Sequence, residues 1–446
     1  MSYSETIFAL ASGRGRAGVA VIRLSGAGAA DALVKLTRKD LPEARRAVRR
    51  ALYRTSDNSV IDQSLVIYFP APNSFTGEDV VEFHLHGGPA VISGLFSELA
   101  RLSRFRPAEP GEFTRRAFEH GKMDLTAAEG LGDLVNAETE AQARQALRQM
   151  QGELGAIYES WRIRLITALA HLEADIDFPD EDLPEGVAAA IAPKVAELKA
   201  EILQHLADGR RGEKIRDGLD VVILGQPNVG KSSLLNALAR RDAAIVSDQA
   251  GTTRDIIDVP MDLAGYPVTI ADTAGLRVTG DAIEREGVRR ARERAARADI
   301  RLFMTTADAP EIPSEFADLL QAKDYRLVNK TDLCPYAADA ATEADGQRVF
   351  PLSVRSGSGV EEFLEALEKD VTARLDLSGA PALTRLRHRQ ALEECAASLD
   401  RFARAGAPEL AAEDVRLAVR ALGRITGRVD VEDILDVIFG DFCIGK

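Results

Sequence analysis

Residues 219–238 read LDVVILGQPNVGKSSLLNAL. An apolar, β-branched run is followed by Gly225-x-x-x-x-Gly230-Lys231-Ser232 and then by a helix-forming stretch. That order, strand then glycine-rich loop then helix, is a phosphate-binding loop. The glycines let backbone N–H groups face phosphate oxygens beside the positive end of a helix dipole. Lys231 is expected on the β- and γ-phosphates and the Ser232 hydroxyl on Mg²⁺. A glycine-rich strand-to-helix turn without a ligand is the plainer alternative, and the flanking elements speak against it.

Three further stretches follow in the order that a guanine nucleotide switch requires. VSDQAGTTRD (246–255) offers Thr253 as a second Mg²⁺ ligand. VTIADTAG (268–275) ends a strand on Asp272-x-x-Gly275, with Asp272 reaching Mg²⁺ through water and the Gly275 N–H meeting the γ-phosphate. YRLVNKTD (325–332) ends another strand on Asn329-Lys330-x-Asp332. A carboxylate there accepts from both N1–H and N2–H₂ of guanine. Adenine offers no such pair, so Asp332 selects GTP through the cost of unpaired buried groups. PLSVRSG supplies Ser353, Val354 and Arg355 as the loop beneath the base. The GTP contacts expected are Asn228, Val229, Gly230, Lys231, Ser232, Ser233, Ser247, Thr252, Thr253, Asp272, Thr273, Ala274, Gly275, Asn329, Lys330, Asp332, Ser353, Val354 and Arg355.

The residue after Gly275 is Leu276, where small GTPases place a water-orienting glutamine. No arginine is plainly offered in cis, although Arg254 lies in the switch. Two residues are candidates to fill the gap. Asn228 can hold a monovalent cation between the phosphates, or simply suit a turn. Glu284 can arrange water, or simply face solvent on a helix.

The 446 residues carry 56 Lys plus Arg against 70 Asp plus Glu, a net charge of −14. That balance argues against a surface covered in nucleic-acid contacts but leaves room for a local basic patch. Cys334, Cys395 and Cys443 show no paired spacing, which favours a reducing compartment. No signal-peptide pattern opens the chain and no apolar run reaches the ~18 residues of a membrane span. The expectation is a soluble cytoplasmic protein with no membrane association.

Four segments are expected. Residues 1–120 mix short strands (GVAVIRL, SLVIYF, VVEFHLH) with turn signals, an α+β domain. Residues 121–214 turn Ala/Glu/Gln/Arg-rich, and Ile157, Trp161, Leu165, Leu169, Leu172 and Ile176 suggest one helix face. Residues 215–375 alternate strands and helices, the signature of a parallel sheet, and with the nucleotide motifs they are expected to form a Ras-like P-loop G domain. Residues 376–446 return to helix, with Val415, Val419, Leu422 and Ile425 on one face and Asp430 capping a last helix over 431–439. Helical sequence on both sides implies an all-α domain with the α/β domain inserted. Gly13-Arg14-Gly15-Arg16-Ala17-Gly18 matches a dinucleotide fingerprint, but VAVIRL after it is strand-like where that site needs a helix.

These stretches, together with PNSFTGEDVVEFHLHGGP (72–89), PGEFTRRAFEHGKMDLTAAE (110–129) and the terminal FCIGK, resemble the MnmE (TrmE) family of tRNA modification GTPases over the whole chain. The resemblance implies a folate-binding N-terminal domain that also forms a homodimer, and a helical domain interrupted by the G domain. It implies a GTPase activated by K⁺ held by Asn228, Ser247, Gln249 and Thr252, with Glu284 orienting water beside the catalytic Asp272. It implies a heterotetramer with MnmG (GidA), which brings FAD. Together the two install an aminomethyl or carboxymethylaminomethyl group at C5 of the wobble uridine of tRNA. The resemblance implies that a tetrahydrofolate derivative, in the 5-formyl or 5,10-methylene form, supplies the carbon. A ribosome-assembly GTPase without modification chemistry is the rival reading.

A pterin edge resembles guanine, an amino group beside a ring N–H. Strand period puts Glu82, His84 and His86 on one face, so Glu82 is the expected acceptor. Arg23, Lys122 and Lys446 are expected on folate oxygens. A metal site at Glu82, His84 and His86, or a solvated strand face, remain alternatives. Cys443 has the outline of a prenylation box, but Gly445 and Lys446 fit that box poorly. The resemblance places it near the folate as a nucleophile or acid/base in one-carbon transfer; sealing the helical domain as a small apolar residue is the other reading.

Overall fold

The computed structural model describes residues 5–177, 187–241, 257–272, 281–334, 336, 342–344, 347–376, 381–429, 432–440 and 442–445. In chain order the first elements are β1 (Thr6–Leu10), β2 (Ala17–Ser25), α1 (Ala29–Thr37), β3 (Val48–Tyr53), β4 (Val60–Phe69), β5 (Val80–Gly87), α2 (Pro89–Leu99) and β6 (Phe105–Pro107). Helices follow: α3 (Glu112–Glu119), α4 (Leu125–Val135), α5 (Glu140–Met150), α6 (Glu153–Asp177), α7 (Val187–Leu206) and α8 (Arg211–Asp217). Strands and helices then alternate through β7 (Leu219–Leu224), α9 (Lys231–Arg241), β8 (Ile257–Leu263), β9 (Tyr266–Asp272), α10 (Asp281–Arg297), β10 (Ile300–Thr306), α11 (Ser314–Ala317), β11 (Tyr325–Asn329), β12 (Thr342–Ala344), β13 (Gln347–Pro351) and α12 (Val360–Leu375). The last elements are α13 (Leu386–Phe402), α14 (Pro408–Thr426) and α15 (Glu432–Gly440). Packing divides the chain into two units. One joins Met1–Gly132, Gln149–Ala192 and Ala397–Lys446; the other joins Asp133–Arg148 and Pro193–Ala396.

The first unit contains a six-stranded sheet ordered β3-β4-β5-β2-β1-β6. Alternation along β5 buries Val81, Phe83 and Leu85 in a core shared with Leu33 and Leu36 of α1 and Leu95 and Leu99 of α2. Glu82 and His84 face the other way, as strand period requires. β2 follows the glycines of residues 13–18, so no helix N-terminus is available there for a pyrophosphate. In the same unit α6 packs on α14. A stripe of buried residues runs along each helix: Leu154, Tyr158, Trp161, Leu165, Ala168 and Leu172 on α6, with Gly155 also buried, and Ala411, Val415, Ala418, Leu422 and Ile425 on α14, with Ala412, Ala421, Gly423 and Thr426 buried beside them. Both alternate steps of four and three, the 3.5-residue repeat that keeps two helices in register. The expected face held three positions that are only half-buried, Ile157, Leu169 and Ile176. Three successive steps of four, as in 157-161-165-169, drift around a 3.6-residue helix, and Tyr158 and Ala168 keep the seam straight. Val419 is half-buried too, with Ala418 taking its place. Asp430 lies outside the described residues.

The second unit holds a seven-stranded sheet ordered β12-β13-β11-β10-β7-β9-β8. β9, β7, β10, β11 and β13 are mutually parallel, and antiparallel β8 and β12 close the edges. β7 is apolar on both faces: Val221 and Ile223 join one core, Val222 and Leu224 the other. That is why VVIL reads as an unbroken apolar run rather than an alternation. Doubly covered parallel sheets place their working loops at the carboxyl ends of the strands. Among the described residues no helix is long and apolar enough to cross a membrane.

Candidate nucleotide and N-terminal sites

The turn after β7 is set by its first glycine. Gly225 has φ 150°, and a Cβ there would lie 2.1 Å from the Met304 carbonyl of β10. Asn228 sits at φ 65°, a left-handed conformation that asparagine tolerates. The helix α9 then begins at Lys231, whose Nζ donates to the carbonyls of Gly225 at 2.6 Å and Gln226 at 2.9 Å. The loop therefore closes on its own lysine. Burial holds this ammonium below the usual lysine range, with the Asp272 carboxylate pulling the other way. Ser232 Oγ donates to Asp272 Oδ2 at 2.5 Å, joining the start of α9 to the end of β9. Ser232, expected on Mg²⁺, and Asp272, expected to reach it through water, are thus adjacent, hard oxygens of the kind that suit that ion.

Asn329, at the end of β11, is 4% exposed and ties two loops together. Its Nδ2 donates to the Val229 carbonyl at 2.7 Å, and its Oδ1 accepts from the Val354 N–H at 3.1 Å. Ser353 Oγ donates to Asp332 Oδ1 at 2.7 Å and accepts from the Ser356 N–H at 3.2 Å. One side of the Asp332 carboxylate is thereby oriented, and the residue itself is exposed. Between these loops lies a cleft of about 590 Å³. Asn228, Gly230, Ser233, Asn329, Lys330, Asp332, Ser353, Val354 and Arg355 line it. So do Asn236, Ala237 and Leu333, which sequence reasoning missed. Asn236 and Ala237 lie one turn beyond Ser233 on α9, so helical spacing was the available signal. Val229, within the loop, is buried. Ser247, Gln249, Thr252, Thr253, Thr273, Ala274 and Gly275 lie outside the described residues, and Glu284 is in the first turn of α10 with its side chain outside them.

The first unit has a smaller cavity, about 200 Å³, lined by Arg23, Phe69, Phe75, Val80, Glu82 and Leu131. Arg23 and Glu82 are cross-strand partners on β2 and β5. The Arg23 guanidinium donates twice to Glu82 Oε1, at 3.1 and 3.0 Å, and lies 5.5 Å from the Phe75 ring centre and 5.9 Å from that of Phe113. His84 Nε2 is 3.2 Å from Glu82 Oε2. Arg23 and Glu82, expected to meet a ligand separately, thus engage each other. His86 turns to Asp62 at 2.8 Å, away from Glu82. Among the described residues no cluster of three His, Cys, Asp or Glu side chains could hold a metal. An apolar, aromatic-walled cavity with one carboxylate and one guanidinium suits a flat heteroaromatic ring. Lys122 is exposed, outside the lining, with Cε against the backbone turn at Gly77.

The loop bearing Phe75 rests on a buried polar network. Arg116 is fully buried and donates to Glu78 Oε2 at 3.0 Å, to Glu112 Oε1 at 2.9 Å and to the Glu5 carbonyl at 3.1 Å. Ser25 Oγ lies 2.7 Å from both Thr76 Oγ1 and Glu78 Oε2, and His120 Nδ1 is 2.7 Å from the Thr76 carbonyl. The PNSFTGED and PGEFTRRAFEH stretches are two halves of this support. Segment 442–445 comes to the same sheet: Ile444 bridges Pro110, and Gly445, at φ 102°, sits where a Cβ would be 2.3 Å from the Leu10 carbonyl. Cys443 is exposed there rather than sealing a core. Lys446 lies outside the described residues.

Comparison with known proteins covers nearly the whole chain. The family model for the GTP-binding protein TrmE N-terminus matches residues 6–122, and that for the MnmE helical domain matches residues 125–443. The chain is 54% identical over 446 residues to the tRNA modification GTPase MnmE of Parvibaculum lavamentivorans, covering 99% of this chain and 100% of that one. It is 54% identical over 444 residues to the protein of that name from Paramagnetospirillum magneticum, covering 99% and 100%. It is 47% identical over 469 residues to the mitochondrial 5-taurinomethyluridine-[tRNA] synthase subunit GTPB3 of Danio rerio, covering 99% and 93%.

Proposed function

The chain belongs to the MnmE family of tRNA modification GTPases, and from that premise we propose a K⁺-activated GTP hydrolase that works with MnmG on the wobble uridine of tRNA. The observation that carries the nucleotide part is the single cleft onto which the phosphate loop, Asn329, Asp332 and the 353–355 loop converge. In this reading Lys231 releases the carbonyls of Gly225 and Gln226 and turns to the β- and γ-phosphates. Ser232 and Thr253 would hold Mg²⁺, with Asp272 assisting through water. Asn228, Ser247, Gln249 and Thr252 hold K⁺. When bound there, the two cations would supply the positive charge that offsets charge developing on the transferring phosphoryl group, the role an arginine finger plays elsewhere. Glu284 orients the attacking water. Asp332 accepts from the guanine N1–H and N2–H₂, one on each oxygen, while Ser353 orients the carboxylate through Oδ1.

The pocket of Arg23 and Glu82 takes the pterin head of a tetrahydrofolate. Glu82 exchanges one of its present partners for the ring donors, and Arg23, Lys122 and Lys446 meet oxygen atoms of the ligand. The folate supplies a one-carbon unit, and FAD enters only with MnmG. Cys443, exposed in the segment whose Ile444 bridges Pro110, is the thiol assigned to that chemistry. Residues 1–120 form the folate and homodimer domain, residues 121–214 and 376–446 the helical domain, and residues 215–375 the G domain.

Mass spectrometry of wobble nucleosides from a strain carrying only Cys443→Ser protein tests the second chemistry. The expected result is loss of the C5 modification at a normal GTPase rate. Persistent modification removes Cys443 from the reaction. Equal GTP hydrolysis in KCl and NaCl removes K⁺.

A further inference from the structure

Charge is unevenly spread along this chain. Residues 35–50 carry seven basic side chains against Asp40 and Glu43, so a net +5 sits in 16 residues of a chain whose total is −14. Six of the seven are exposed and Arg50 is half-buried. The segment runs from the last turn of α1 into β3, the edge strand of the six-stranded sheet.

The fold gathers these residues onto that edge. The Arg38 guanidinium lies 4.6 Å from the Tyr53 ring centre and donates to the Asn58 side chain. Arg50 Nη2 donates to the Asp40 carbonyl at 3.2 Å, and Arg49 Nη2 to Gln63 Oε1 at 2.6 Å. Arg45 donates its N–H to the Tyr68 carbonyl at 2.8 Å and its guanidinium to the Asn73 carbonyl. Neutral oxygens thus orient four guanidiniums without cancelling their charge; Arg46 pairs with Glu43 at 2.9 Å. Guarding an edge strand against unwanted pairing needs a charge or two on the strand. That accounts for Arg49 and Arg50, but not for Arg38, Lys39, Arg45 and Arg46 beside it.

We propose that this edge docks the sugar-phosphate backbone of the tRNA substrate. Guanidinium forks match phosphate geometry, and such contacts position a nucleic acid without reading its sequence. The edge also leads to the candidate pocket, since Asn73, which Arg45 holds, is two residues from Phe75 in the pocket wall. A symmetric contact with the same edge of a second copy is disfavoured, because two such edges repel. The proposal rests on the family's action on tRNA and deepens that reading.

The test is fluorescence anisotropy of a labelled tRNA transcript with the full-length chain between 50 and 200 mM KCl. It compares wild type with the quadruple variant Arg38→Gln, Arg45→Gln, Arg49→Gln, Arg50→Gln and with its all-Lys counterpart. Each lost phosphate contact removes about 0.7–0.9 from the slope of log affinity against log salt. Four lost contacts flatten it by about 3, so the fourfold rise in salt weakens wild type roughly 60-fold more than the Gln variant. The all-Lys variant keeps the wild-type slope. GTP hydrolysis stays at the wild-type rate, which separates loss of docking from failure of the GTPase reading. If that rate collapses, the single variants Arg45→Gln and Arg49→Gln carry the test, each flattening the slope by about 0.8. An unchanged slope, or no tRNA binding by wild type at 50 mM KCl, overturns the proposal. So does a Gln variant that keeps tRNA but loses cosedimentation with phosphatidylglycerol vesicles, since the edge would then be a lipid surface.

Discussion

Replacing Asn329 by alanine removes the bridge between the phosphate loop and the 353–355 loop. The Val229 carbonyl loses a 2.7 Å bond and the Val354 N–H a 3.1 Å bond. A buried polar group left without a partner costs about 1–3 kcal/mol. Val229 is buried and Val354 only half-buried, so one full and one partial penalty apply, about 2–3 kcal/mol together. Both loops line the nucleotide cleft, so the loss falls on nucleotide affinity. At 1.4 kcal/mol per decade, the Kd for GDP rises roughly 30- to 150-fold. Titration with a fluorescent GDP analogue measures this. Asn329→Asp is the companion variant: it keeps an acceptor for Val354 but sets a carboxylate oxygen against the Val229 carbonyl, so it is expected to be as damaging. A Kd within threefold of wild type for Asn329→Ala would refute the staple, because the two loops would then be held by something else.

Other outcomes follow from the same geometry. Asp332→Asn is expected to move preference from guanosine toward xanthosine nucleotides, and unchanged selectivity in a competition assay would remove Asp332 from base recognition. Burial pushes the Glu112 carboxyl up, but Arg106, the Glu109 N–H and Arg116 outweigh it and hold the group below the usual glutamate range. A carboxyl lowered in the folded state stabilises above its unfolded pKa, and that stability is lost as pH falls through the folded value. Thermal melts from pH 7 to pH 3 should therefore show a steeper acid loss for wild type than for Glu112→Gln. The variant, which leaves Arg116 with a weaker partner, should be destabilised at neutral pH by about 3 kcal/mol. Gly445→Ala places a Cβ against the Leu10 carbonyl and should free segment 442–445 to limited proteolysis at an unchanged GTPase rate. Equal protease resistance would mean that the segment accommodates the methyl group.

The parts that were legible in the sequence are those fixed by neighbours along the chain. The phosphate loop, with its strand and helix, is a local pattern, and so is the in–out alternation of β5. What stayed hidden depends on partners far away in sequence. Asn329 reads as a base contact in its motif, yet here it reaches back to Val229 and forward to Val354. Arg23 and Glu82 each read as ligand contacts, and only the β2–β5 register reveals that they face one another. The α6 seam was misphased because large apolar side chains attract notice, whereas Ala168 is chosen by the close approach of α14. The Arg116 network could not be foreseen, since buried arginine and surface arginine look alike in a sequence.

The α6–α14 seam carries a consequence for the order of events during synthesis. Its halves are separated by the entire inserted α/β sheet: α6 is complete at Asp177 and α14 only at Thr426. At about 5–20 residues per second, roughly 10–50 s elapse between the two. For that interval Leu154, Tyr158, Trp161 and Leu165 wait without the partner that covers them. The intervening sheet, whose parallel strands all lie between Leu219 and Pro351, can form in the meantime. A nascent chain halted before α14 is therefore expected to be sticky along one helix even when its nucleotide-binding half is already native.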